Sequence, residues 1–116
     1  MKSNLKISAV ISLIALSIGL LISCKKEAPP ASEALFQQGR LTYISRCAVC
    51  HNANPHEPGS VGPDVWGSSR ELIEARVMRA EYPSNYKPKR ETHLMVALPD
   101  VSSQIDAIYA FLNDKH

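Results

Sequence analysis

A chain of 116 residues has room for one small domain at most. Its 13 Lys and Arg against 11 Asp and Glu leave a formal charge of +2, far from the basic surface that a nucleic-acid binder needs. Three cysteines make an odd number, which excludes a simple disulfide framework for an exported protein.

The chain starts with Lys2 and Lys6 and then runs without a charge from Ile7 to Ile22. A positive start followed by an apolar run is the pattern of a secretory signal. An uncleaved anchor is the other reading, although about 16 residues fall short of a bilayer span. The run ends in Leu21-Ile22-Ser23-Cys24, which resembles the lipobox of bacterial lipoproteins. That resemblance implies that residues 1–23 are a lipoprotein signal peptide and that Cys24 becomes the lipid-bearing first residue. Losing them removes Lys2 and Lys6 and no acid, so 11 basic residues face 11 acidic ones. Both readings place the domain outside the cytoplasm, on the periplasmic side of a membrane. Lys25 stands where some inner-membrane lipoproteins carry aspartate, which points to the outer membrane.

Residues 24–31 form a tether: Lys25 to Ala31, KKEAPPA, is charged, carries two prolines and cannot pack a core. The domain proper is expected over residues 32–116. Ser32 reads as an N-cap, with a helix from there to about Cys50. Phe36, Gly39 or Arg40, Tyr43, Cys47 and Cys50 recur at spacings of three and four, so one stripe leads into the cysteines. Gly39 costs about 1 kcal/mol against Ala in a helix interior, which a close helix crossing at that point would explain.

Cys47-Ala48-Val49-Cys50-His51 is C-x-x-C-H, the attachment signature of a c-type haem. Two cysteines three apart on a helix share a face, so both thiols can add to the vinyl groups on one haem edge. The histidine after them is placed to bind the iron through a neutral imidazole nitrogen. A redox dithiol would want a βαβ context, and a zinc site four ligands; neither context is visible. With Cys24 taken by lipid and Cys47 and Cys50 by haem, no thiol is left over.

Residues 52–67, NANPHEPGSVGPDVWG, hold three prolines and three glycines and read as a loop. Ser68-Ser69-Arg70-Glu71 reads as a capping box opening a second helix. Ile73, Val77 and Ala80 mark its inner face, and Tyr82-Pro83 its end. A second proline-containing loop, Tyr82 to Asp100, carries Lys87, Lys89 and Arg90, then His93 and Met95. A last helix is expected from Ser102 or Ser103, with Asp106 completing a box and Ile105, Ile108 and Leu112 as its stripe. Helices and loops without a strand pattern make an all-α domain.

Several of these segments together resemble the class I (mitochondrial-type) cytochromes c, over residues 32 to 114. Gly39 and Tyr43 are similar to the glycine and aromatic of that family's first helix. Ile108 and Phe111 are similar to the aliphatic–aromatic pair that crosses it. Val61-Gly62-Pro63-Asp64-Val65-Trp66-Gly67 resembles its G-P-x-L-x-G segment. The resemblance implies a small cytochrome c fold, three main helices wrapped around one covalently bound haem c. It implies that the Pro63 carbonyl accepts from the haem histidine, that Val65 faces the haem, and that Trp66 packs or bonds a propionate. A distal methionine lies in the same loop in that family, followed by proline; here Met95 is followed by Val96.

Candidates for the sixth iron ligand are Met95, Met78, His93, His56 and His116, with Met95 favoured by its place before the last helix. Phe36, Val65, Ile73 and Ile108 are expected to pack on the haem. The implied function is a membrane-tethered carrier of single electrons, not an enzyme. Its redox protein partners would be a quinol-side donor and a terminal reductase or oxidase, steered by Lys87, Lys89 and Arg90. A haem-based sensor with an open distal position, and an accessory subunit of a larger reductase, are the other readings.

Overall fold

The computed structural model of the protein describes residues 28–115. Residues 1–27, with the expected signal peptide, Cys24 and the first half of the expected tether, and His116 lie outside the described residues.

The first helix, α1, spans Ala31–Arg46. Its cap is Pro30, in an extended conformation, whose carbonyl accepts from Ala34 N at 2.9 Å. Ser32 is therefore inside the first turn, and its hydroxyl does not cap the helix. The expected single helix to Cys50 is broken at Cys47, where φ is −116°. A four-residue helix, α2, then covers Ala48–His51, with Cys50 N and His51 N both donating to Cys47 O at 3.1 and 3.0 Å. One carbonyl serves two donors, which tightens the backbone between the two thiols. Asn52 ends α2 at φ 74°, a left-handed conformation that asparagine tolerates better than most residues.

Helix α3 spans Arg70–Arg79. Ser69 caps it, its hydroxyl accepting from Leu72 N at 3.2 Å. Ser68 is turned away and donates to Val65 O at 2.6 Å, so the box between Ser68 and Glu71 does not form. The helix stops before Tyr82-Pro83 because Ala80 turns left-handed at φ 57°, with its N–H on Arg76 O at 3.0 Å.

A 3-10 turn, Pro99–Gln104, leads into α4, Ile105–Leu112. No side chain caps either piece; proline at the start of the turn supplies a preset φ instead. Asp106 accepts from Arg70 Nε on α3 at 2.7 Å and not from the backbone.

Helices α1 and α4 cross at Gly39, where a Cβ would sit 1.8 Å from Ala107 O. Only glycine permits that approach, which accounts for its position inside a helix. Around the crossing, the Phe111 ring packs against Tyr43 and Phe36 at 5.3 and 5.5 Å between centroids. Ile73 and Val77 from α3, Val101 from the 3-10 turn, and Ile105, Ile108 and Leu112 from α4 complete the core cluster. The described residues are helical with no strand, an all-α domain.

Candidate cofactor site

Beside the core cluster lies a cavity of about 250 Å3, and its walls bring together what the sequence scatters. Cys47, Cys50 and His51 line one part, Pro63 and Val65 the adjoining loop, and Met95 the segment before the 3-10 turn. Leu72, Ile73, Val77, Ile108 and Leu112 give the wall its apolar character.

His51 is held from two sides. Its Nδ1 lies 2.8 Å from Pro63 O, and since a carbonyl can only accept, Nδ1 carries the proton. In the neutral ring the other nitrogen, Nε2, keeps its lone pair, as a metal-binding imidazole requires. Gly62 lies against the ring: a Cβ there would come within 2.5 Å of His51 Nδ1. Gly62 N donates to Cys50 O at 2.8 Å, and Gly59 N to Gly62 O at 3.0 Å, so the loop is laced to α2.

Cys47 and Cys50 are both free thiols. Burial pushes the Cys47 thiol up to about 11; neighbouring Arg46 opposes this and Cys50 adds to it. A dithiol oxidoreductase needs the reverse, an exposed cysteine with a depressed pKa. Among the described residues no group of three or more His, Cys, Asp or Glu side chains is arranged to hold a metal ion between them, so a four-donor zinc site is not assembled either.

The sixth-ligand candidates separate by place. Met95 is half-buried, packs against the core cluster and lines the cavity. His93 is exposed, Met78 is half-buried on α3, and neither lines the cavity. His56 is exposed and stacks on Trp66 at 4.0 Å between centroids, which takes both rings away from the cavity wall. Trp66 therefore packs on His56. Phe36 is likewise absent from the wall, being spent on Phe111.

Of the three loop cations, Lys89 lines the cavity and donates to Asp64 Oδ2 at 2.5 Å and to Asp64 O at 3.1 Å. Lys87 is exposed, Arg90 is half-buried, and neither is on the wall. Sequence reasoning passed over Arg76, Tyr82 and Tyr86, which also line the cavity. A signal for Arg76 existed: position 76 falls on the same helical stripe as Ile73 and Ala80. No family model, curated protein or solved structure matches the chain.

The residues present fit a covalently held haem. Cys47 and Cys50 would hold it covalently, His51 Nε2 and Met95 Sδ would be ligands to its iron, and the apolar wall would shelter it from water. Bound there, the group would supply a one-electron couple whose potential the axial ligands and burial set.

Proposed function

We propose that the protein is a membrane-tethered mono-haem c-type cytochrome that passes single electrons between redox proteins, and is not itself an enzyme. The observation that carries this reading is the convergence of Cys47, Cys50, His51 and Met95 on one apolar cavity, with the His51 tautomer set by the Pro63 carbonyl. A carrier needs its chain to do three things: hold the group without exchange, close both axial positions, and exclude water. Two thiols on the wall serve the first, His51 and Met95 the second, and the side chains of α3 and α4 the third. The small core supports the reading too, because a domain of this size gains much from an additional apolar surface to pack on. Attachment through Cys24 would keep the carrier at the membrane surface on the periplasmic side.

The test is an absorbance spectrum of the purified protein, oxidised and reduced, repeated after denaturation and extraction into acidified organic solvent. The expected result is a low-spin c-type spectrum that stays with the polypeptide, and that is lost when Cys47 and Cys50 are both replaced by Ala. Haem that extracts from the unmutated protein, or no haem at all, would rule the reading out. Mass spectrometry of the mature protein tests the tether: an N-terminus at a lipid-bearing Cys24 is expected, and an intact Met1 end counts against it.

A further inference from the structure

The two candidate iron ligands, His51 and Met95, are held by segments with very different anchoring. On the His51 side, Gly62 N donates to Cys50 O at 2.8 Å, and Val65 N and Trp66 N donate to Pro55 O at 2.9 and 3.0 Å. Pro63 O, between them, takes His51 Nδ1. The Met95 side is nearly bare. Tyr86 N is bonded to Pro83 O, and Leu98 N to Val77 O at 2.7 Å. Between those two points, among the described residues, residues 87–97 make hydrogen bonds through one side chain only, that of Lys89. Its Nζ donates twice to one residue, to Asp64 Oδ2 at 2.5 Å and to Asp64 O at 3.1 Å. Asp64 stands between Pro63, which holds the His51 ring, and Val65, which is pinned to Pro55. The immediate neighbours of Met95 give it no hold, since Leu94 and Val96 are 69% and 68% exposed.

We infer that Asp64 and Lys89 are positioning residues for the sixth iron ligand: their pair clasps the Met95 segment to the loop that holds His51. The inference rests on the haem reading above and adds to it what keeps the distal side shut. Three things keep Met95 inward: its own packing on the core cluster, the bond at Leu98, and this clasp. Global stability does not account for the pair. Its side chains are 45% and 37% exposed, and an ion pair that open contributes little to the whole fold. A small energy counts for more where it opposes local opening, because a segment with few bonds opens at little cost. An incidental surface pair would also have no reason to engage the main chain. Lys89 bonds the Asp64 carbonyl as well as the carboxylate, which fixes its line of approach to a loop that is itself fixed. The closed sixth position thus depends on a contact with the residues that orient the fifth ligand.

The test uses the holoprotein matured with its haem, comparing the unmutated chain with Asp64→Asn, Lys89→Met, the double variant and Arg90→Gln. Covalent haem is checked first by spectrum after denaturation. The readout is the rate at which saturating carbon monoxide displaces Met95 from the ferrous protein, at low and high salt. Each single variant is expected to raise that rate about two- to fivefold, the factor that one partly exposed ion pair can supply. The double variant is expected to be no faster than the faster single one, because both remove the same contact. Arg90 acts on the Asp64 carboxylate by charge without a hydrogen bond, so Arg90→Gln is expected to leave the rate unchanged. High salt is expected to speed the unmutated protein and not the variants, which decides the matter without any substitution should a variant fail to accumulate. Unchanged rates in both single variants, a double variant showing the product of the two effects, or Arg90→Gln as fast as Lys89→Met overturn the clasp and leave the haem reading standing. So does a rate in the unmutated protein that salt does not alter. Immediate carbon monoxide binding by the unmutated protein overturns the clasp together with the closed sixth position. An unmutated protein without covalent haem overturns the haem reading as well.

Discussion

The phenol of Tyr43, in the last turn of α1, donates to the backbone oxygen of Asn52 at 2.7 Å. The bond spans the break at Cys47 and ties the end of α2 to the core, where the same ring packs on Phe111. Burial, with a smaller contribution from Cys47, pushes the phenol up to about 12, so it stays a donor through the ordinary pH range. One side chain thus fixes where the C-x-x-C-H segment stops.

Tyr43→Phe keeps the ring and removes only that donor. Leaving a half-buried carbonyl without its partner costs about 1–3 kcal/mol. Chemical denaturation of the holoprotein is expected to show a loss in that range, with His51 still ligated in the spectrum. A variant as stable as the parent would show that water replaces the phenol.

Gly39→Ala sets two effects against each other. Alanine favours the helix by about 1 kcal/mol. Its Cβ would fall 1.8 Å from Ala107 O, which is backbone and cannot rotate aside. Overpacking of this kind costs about 1–3 kcal/mol, occasionally more, so net destabilisation is expected. An unchanged thermal midpoint would mean that α1 and α4 can separate without loss.

Met95 decides between carrier and sensor. On the haem reading proposed above, the unmutated ferrous protein is expected to be low-spin and slow to take up carbon monoxide, because Met95, on the cavity wall, would close the sixth position. Met95→Ala is expected to bind carbon monoxide readily, and Met95→His to lower the midpoint potential. Rapid carbon monoxide binding by the unmutated protein would favour the sensor.

The Asp64 carboxyl is held below the usual carboxylate range, first by its hydrogen bond from Lys89 and then by that charge and Arg90. A depressed folded pKa means stability that is present above the unfolded value of about 3.9 and is lost as pH falls through the lower, folded one. The pair is partly exposed, so the effect is small and salt-sensitive. Denaturation midpoints measured at low ionic strength are expected to fall less steeply below pH 4 in Asp64→Asn than in the parent. Identical acid limbs would show that the pair contributes nothing.

The helices were legible wherever a stripe faced the core, as at Tyr43, Ile73, Ile105 and Ile108. Their ends were less so. Ser68 and Ser69 offer equivalent hydroxyls, and the choice of Ser69 depends on Val65 engaging its neighbour, a tertiary fact. Ala80 carries no sequence mark of its left-handed turn. The break at Cys47 is invisible because the periodicity continues across it. In the cavity, C-x-x-C-H was readable because its spacing is local. The grouping of Arg76 with Tyr82 and Tyr86 was not, because it depends on how α3 meets the loop after it. The stacking of Trp66 on His56 was not legible either, because two residues ten apart in a loop carry no mark of their contact.

The tightest approach between helices joins residue 39 to residue 107, so the last element of the chain completes the packing of the first. Contacts so far apart in sequence form late, after the entropy of closing a loop of more than half the chain has been met. A polypeptide delivered N-terminus first therefore presents α1 with an unpacked face until α4 emerges. During that interval Cys47 is not yet shielded, and its thiol keeps the ordinary reactivity that folding later takes away. On the haem reading proposed above, chemistry at the two cysteines would have a natural order: attachment first, closure of the fold second. A C-terminal truncation that removed Phe111 and Leu112 would leave that interval open indefinitely.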